Sequence, residues 1–126
     1  MENIQDAVRE FHLQFGIPAA SVPTKMAANR VHRLAGFMSE EIQELIAANT
    51  LADQVDAAAD LIYYAVGVFI ETGVDANHVL RIVHQANMAK LVNGKPAFSE
   101  DGRVLKPRNW ISPEREIEEW LASENV

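Results

Sequence analysis

The chain has 126 residues, of which 48% are apolar, with only 6 glycines and 5 prolines; this is the composition of one globular domain spanning 1–126 and excludes a disordered or fibrous chain. Its 18 acids against 11 bases give a net charge of −7, the wrong sign for binding a nucleic-acid polymer. The absence of cysteine excludes disulfides, thiolate metal sites and thiol catalysis, and fits a cytoplasmic setting.

Taken in chain order, Ile4, Val8, Phe11 and Phe15 step by four, three and four, which predicts a helix over 4–15 stopped by Gly16 and Pro18. A loop with Pro18 and Pro23 follows over 16–24. A long helix is predicted over 25–49, because Leu34, Phe37, Met38, Ile42, Leu45 and Ile46 keep helical spacing. Gly36 weakens it by about 1 kcal/mol relative to alanine. A third helix is predicted over Ala52–Thr72, with Gly73 as C-cap. It holds the longest apolar run, Ala57 to Ile70, which is too short to span a bilayer. No signal peptide is expected either, since acids follow Met1 and no apolar h-region appears.

Asp75 is the predicted N-cap of a fourth helix, Ala76–Val92, which Asn93-Gly94 ends. Residues 94–111 are broken by Gly94, Pro96, Asp101-Gly102 and Pro107, with Asp-Gly suited to a small hairpin. Ser112-Pro113 opens a short terminal helix ending near Ala122. The expected fold is all-α, a four-helix-bundle-like arrangement with an irregular C-terminal arm. The third helix is apolar almost all round, so a face buried between subunits of a homodimer or homotetramer is expected.

The charge is concentrated. Between Arg33 and Arg81 there is no Lys or Arg in 47 residues, yet eight acids lie there; the remainder of the chain holds 10 acids and 11 bases. On a helix Glu44 lies about 40° from Glu40 and about 60° from Glu41, so all three can point towards one place, and Asp53, Asp56 and Asp60 fall within about 60° of one another on the next. Two antiparallel helices joined by a short turn would bring these carboxylates to one groove. Like charges held close raise one another's pKa unless a counter-charge is present. The block supplies none, so a divalent cation is the missing partner, and an oxygen-only donor set suits Mg²⁺ or Mn²⁺. Asp60 is the sharpest of these acids, because it sits alone inside the apolar run, where an unpaired carboxylate is costly. On the fourth helix Arg81, His84, Asn87 and Lys90 recur every three residues, and the arm adds Lys95, Arg103, Lys106 and Arg108, cations suited to phosphates. Trp110 suits an anchor for the arm. There is no Glu-x-x-His pair, P-loop, Gly-x-Gly-x-x-Gly, EF-hand loop or Gly-x-Ser-x-Gly elbow.

Glu40-Glu41-x-x-Glu44 followed by a helix carrying Asp60-Leu61-Ile62-Tyr63-Tyr64 resembles the all-α nucleoside triphosphate pyrophosphohydrolases, which include MazG-type enzymes, dimeric dUTPases and phosphoribosyl-ATP pyrophosphohydrolase. Val8-Arg9-Glu10-Phe11-His12, Phe15-Gly16-Ile17-Pro18, His84-x-Ala86-Asn87-Met88-Ala89-Lys90-Leu91, Gly94-Lys95-Pro96 and Asp101-Gly102-Arg103-Val104-Leu105-Lys106-Pro107 with Trp110 are similar to the stand-alone phosphoribosyl-ATP-pyrophosphohydrolase-like branch. The resemblance implies Mg²⁺-dependent cleavage of a nucleotide between the α- and β-phosphates. It implies Glu41, Glu44 and Asp60 as metal ligands, Glu40 as a further ligand or the base that orients water, and Asn87, Lys90 and Lys106 as phosphate contacts. Glu40 and Glu41 are thus the catalytic candidates. One departure stands out: the superfamily's Glu-x-x-Asp has Ala57 at its first position here, with Asp56 one residue earlier as a substitute ligand that still shares the face. Two other readings of the same helices are a non-catalytic oligomerisation or partner-binding module and a nucleotide-binding regulator without turnover.

Overall fold

The computed structural model describes residues 3–124. Its helices are α1 (Ile4–Phe15), α2 (Ala28–Ala47), α3 (Leu51–Thr72), α4 (Ala76–Met88) and α5 (Glu114–Glu124), with nothing more sheet-like than two isolated bridges among the described residues. The all-α class is as expected. No single described helix is long and apolar enough to cross a membrane. The chain forms two compact units, one ending at Val74 and the other beginning at Asp75.

In the first unit α1 and α2 both pack on α3. Val8 of α1 meets Val66 and Ile70 of α3, with Tyr63 against them, and Val8 and Ile70 are wholly buried. Of the stripe read from the sequence only Val8 is buried; Ile4 and Phe15 stay 52% and 71% exposed, and His12 is the other buried residue of α1. Gly16 closes α1 in the left-handed conformation. The loop that follows uses its backbone donors on the last turn of α3: Ala20 N–H donates to the Ile70 carbonyl (2.9 Å) and Thr24 N–H to the Thr72 carbonyl (2.8 Å). Last-turn carbonyls lack the usual i+4 donors, and here the Ile70 carbonyl accepts only a long 3.3 Å bond from the capping Gly73 N–H besides the one from Ala20. This crossing is why Gly73 must be glycine. Its φ is +68°, and a Cβ there would lie 2.5 Å from the Val22 carbonyl oxygen.

The same tether shifts the start of α2. The helix begins at Ala28 rather than 25, after Ala27, which is extended and has no capping side chain. With Thr24 fixed to α3, the chain stays extended until it clears that helix end. α2 stops at Ala47, two residues before its expected end. Thr50 then caps α3 by accepting from Asp53 N–H (3.1 Å). Only residues 48–50 separate the two helices, and so short a turn makes α2 and α3 antiparallel neighbours.

In the second unit α4 packs with α5, where the His78 and Trp120 rings stack 4.1 Å apart. Asp75 caps α4 by accepting from Asn77 N–H. α4 ends at Met88, short of the expected Val92, and Lys90 and Leu91 bond back to the carbonyls of Asn87 and Met88 as tightened turns. The reason lies in Asn93 and Gly94, with φ of 51° and 74°. Two successive residues of positive φ make a hairpin turn, so Val92 is drawn out to pair with Lys95 instead of continuing the helix. The expected Asp101-Gly102 hairpin is present, with Phe98 bridged to Val104 and the Ser99 hydroxyl donating to Asp101.

Candidate metal centre

Three of the expected acids meet between α2 and α3. Glu41, Glu44 and Asp60 each offer a carboxylate oxygen, and the three oxygens lie within 4.8 Å of one another. Glu44 is exposed, whereas Glu41 and Asp60 are half-buried. The Glu41 Oε2 atom is shut off from solvent and has no hydrogen-bond partner. A buried carboxylate oxygen left in this way is expensive. The Glu41 carboxyl is accordingly raised to about 7, first by burial, then by a hydrogen bond with the Glu44 carboxyl and by repulsion from Glu44, Asp60 and Asp56. A buried, unpartnered oxygen facing two more carboxylates, with no cation beside it, is a donor set that fits a hard divalent ion.

The other expected residues lie elsewhere. Glu40 is exposed and outside the trio. Asp56 is also outside it; it lines a shallow pocket with Glu44 and Asp53, and adds to the repulsion on Glu41. Asn87, Lys90 and Lys106 belong to the second unit. There Lys90 Nζ donates to Asn87 Oδ1 (3.0 Å), and Lys90 and Lys106 each stand 5.2 Å from the centre of the Trp110 ring.

Sequence reasoning missed two features of the first unit. One is a cavity of about 200 Å³ between α1, α2 and α3, walled by Phe11, His12, Phe37, Tyr63 and Tyr64 with Arg30 and Arg33 among its lining. Phe11 meets Tyr63 edge-on and Phe37 meets Tyr64 at a tilt, both with ring centres 5.6 Å apart. Tyr64 of this wall lies one turn after Asp60 on α3, and burial, then the charges of Glu41, Asp60, Glu40 and Glu44, push its phenol above its ordinary value. The signal was present in Phe37, which read as helical spacing, and in Tyr63-Tyr64, which read as part of the family resemblance, but neither read as a cavity wall. The other is the pairing of Glu71, an acid of the central block, with Arg30 from outside it.

The pH dependence follows from Glu41. Its pKa rises from 4.5 to about 7 on folding, so the metal-free folded chain holds this proton more tightly than the unfolded chain. That contribution to stability is fully present below pH 4.5 and is lost as pH rises through about 7. A cation needs the deprotonated carboxylate, so its stabilisation runs the opposite way. Thermal melts in EDTA and in millimolar Mg²⁺ are expected to differ little at pH 5 and to separate at pH 8. An equal gap at both values would contradict the assignment.

The family model of phosphoribosyl-ATP pyrophosphohydrolase matches residues 8–87, from the first buried residue of α1 to Asn87 in the last turn of α4. The matched stretch contains the whole acidic trio and every residue named above on the cavity wall. No curated protein matches the chain.

Proposed function

The chain belongs to the phosphoribosyl-ATP pyrophosphohydrolase family, within the MazG-like all-α superfamily, and from that premise we propose that it hydrolyses a nucleoside triphosphate or a phosphoribosyl-ATP-like nucleotide with Mg²⁺, or Mn²⁺, held by Glu41, Glu44 and Asp60. The observation that carries this reading is the buried, unpartnered Glu41 oxygen among three converging carboxylates. When bound, the cation supplies charge neutralisation for the substrate's phosphates. Water attacks the α-phosphorus and the bond from that phosphorus to the α–β bridging oxygen breaks. A monophosphate and pyrophosphate leave. Glu40, next to the trio but outside it, takes the proton from the attacking water. Asp56 acts on the site through its charge, without contributing a ligand atom.

The aromatic cavity supports a planar base near the acids, since Phe37 and Tyr64 offer ring faces and Tyr64 lies one turn after Asp60 on α3. Asn87, Lys90 and Lys106 serve the phosphates. The enzyme works as a homodimer or homotetramer. In support, α3 leaves Leu51 77% exposed and Val55 and Ile62 each 58% exposed, an apolar stripe that a second copy would cover.

The direct test is a panel of nucleoside triphosphates and phosphoribosyl-ATP, assayed for pyrophosphate and orthophosphate separately, in Mg²⁺, Mn²⁺ or EDTA. Pyrophosphate is expected from at least one nucleotide and only with metal. Orthophosphate as the first product would overturn cleavage at the α–β bond, and no turnover with a metal-dependent melt would replace the proposal with the regulator reading. No turnover and no metal response would favour the interaction module.

A further inference from the structure

His12 and Glu71 are the buried polar side chains among the described residues. Glu71 is matched by Arg30, but His12 is matched at only one of its two ring nitrogens. Nδ1 lies 2.8 Å from the Pro18 carbonyl oxygen. A carbonyl only accepts, so Nδ1 carries the proton, and in the neutral ring Nε2 is left as a bare acceptor. No hydrogen bond engages Nε2 among the described residues. The loop that carries Pro18 is pinned on both sides, by Ile17 N–H donating to the His12 carbonyl (2.8 Å) and Ala20 N–H to the Ile70 carbonyl (2.9 Å), so the partner of Nδ1 stays in place.

His12 lines the aromatic cavity, and so does Gly67 of α3, against which its ring rests. A Cβ at Gly67 would stand 3.2 Å from Nε2, so glycine is what leaves this nitrogen room. His12, Gly67 and Leu34 are buried and form the inner end of the cavity, whereas Phe11, Phe37 and Arg33 are exposed at its mouth. The order along the helices gives the cavity a direction. Asp60, Tyr64 and Gly67 follow one another within two turns of α3, and Glu41, Phe37 and Leu34 follow one another within two turns of the antiparallel α2. Carboxylates, aromatic rings and His12 therefore succeed one another. A nucleotide with its phosphates at the carboxylates and its base between the rings presents to His12 the base edge farthest from its sugar. That is the Watson–Crick edge, which carries an N–H in every common base. At about 200 Å³ the cavity is smaller than the roughly 300–1,000 Å³ that holds a whole ligand, which leaves room for one base and not for a further sugar phosphate attached to it.

We propose that His12 is a specificity-determining residue, its Nε2 accepting the Watson–Crick N–H of the base, so that this chain takes an ordinary nucleoside triphosphate and binds far more weakly any nucleotide substituted on that edge, including phosphoribosyl-ATP, whose N1 carries a second ribose phosphate. The inference rests on the reading of the aromatic cavity as the base site, but not on turnover. It does not choose among the bases, because each offers an N–H there; it chooses the free edge over the blocked one.

The test is calorimetry on the full-length chain in EDTA at mildly alkaline pH, where neither metal nor hydrolysis enters. The probes are AMP, CMP, GMP and UMP, each against its form methylated on the Watson–Crick ring nitrogen, N1 of the purines and N3 of the pyrimidines. In the guanine and uracil pairs the methyl changes no charge. At least one parent nucleotide is expected to bind, and its methylated form roughly a hundredfold more weakly or not at all, because the methyl both removes the donor and meets Nε2. ATP should likewise outbind phosphoribosyl-ATP. His12→Ala removes the acceptor and opens space. It is expected to weaken the parent about tenfold, the loss of one buried hydrogen bond, and to raise the methylated form to the same level. A merely structural role for His12 would weaken both alike. Equal binding within the pairs on the unaltered chain, equal losses in His12→Ala, or phosphoribosyl-ATP bound as tightly as ATP would overturn the proposal; the first and last of these need no variant to fold. No binding of any monophosphate would overturn it together with the base site, while metal-dependent pyrophosphate release is decided separately by the substrate panel. Clear discrimination without turnover would uphold His12 and leave only the hydrolase reading to fall.

Discussion

Asp60→Asn is expected to remove pyrophosphate release by more than about a hundredfold, since even partners one layer behind a metal ligand are worth 10–100-fold. Glu44→Ala should do the same. The two residues come from different helices, Asp60 from α3 and Glu44 from α2, and each supplies one of the three converging oxygens. Removing either leaves two of the three carboxylates, a set that holds the ion more weakly. What separates this from a folding defect is the sign of the stability change. In the metal-free protein the trio is a cluster of like charges, and Glu41 is held above its ordinary range partly by Glu44 and Asp60. Deleting either charge relieves that repulsion, so in EDTA both variants should melt no lower than the unaltered chain. In millimolar Mg²⁺ they should show no gain, whereas the unaltered chain gains by mass action. Full turnover in either variant, or a lower melting temperature in EDTA, would sink the ligand assignment. Glu40→Gln provides the contrast. Outside the trio, it should lower turnover while leaving the Mg²⁺-dependent rise in melting temperature intact.

These expectations show which parts of the molecule a sequence makes legible. α1 and α3 were readable to within a residue because their ends are set locally, by Asn3 and Gly16 and by Thr50 and Gly73. The start of α2 was not, because it is set by Thr24 bonding across to Thr72, a contact between residues far apart in the chain. The end of α4 was misread for a different reason: Asn93-Gly94 satisfies both a helix stop and a hairpin turn, and only the pairing of Val92 with Lys95 decides between them. In the site, the trio was legible because helical spacing and a short turn suffice to place it. Asp56 shares the face of Asp60 in projection, yet the position of α2 decides which oxygens reach one another, and it favours Asp60. The aromatic cavity was invisible because Phe11, Phe37 and Tyr63 follow the same periodicity as residues packed solid. Spacing reports the face, not whether it is filled.

The acidic block looked uniform in the sequence, eight acids without a base, but the structure divides it into two kinds of carboxylate, and Arg30→Ala is the variant that exposes the difference. Glu71 is as deeply placed as any charge among the described residues, with its side chain 1% exposed, and both its oxygens accept from Arg30, Nε to Oε1 and Nη2 to Oε2, each at 2.9 Å. That fork holds the guanidinium's pKa above its ordinary value, chiefly through the hydrogen bonds to Glu71. Where the trio is left uncompensated and receptive, Glu71 is fully compensated and structural. Removing Arg30 strands a buried carboxylate between α2 and α3, which costs about 3–5 kcal/mol. Against a total stability of about 5–15 kcal/mol this is the largest loss expected of any single change outside the trio. It should appear as a fall in denaturant midpoint with an unchanged slope. Arg30→Met combined with Glu71→Leu should recover most of it, because an apolar pair of similar volume removes the stranded charge together with its partner. A loss below about 1 kcal/mol in Arg30→Ala, the range of solvated surface pairs, would mean that water reaches Glu71 once the guanidinium is gone. The double variant would then have nothing to restore, so the two measurements together decide whether burial or pairing governs this acid.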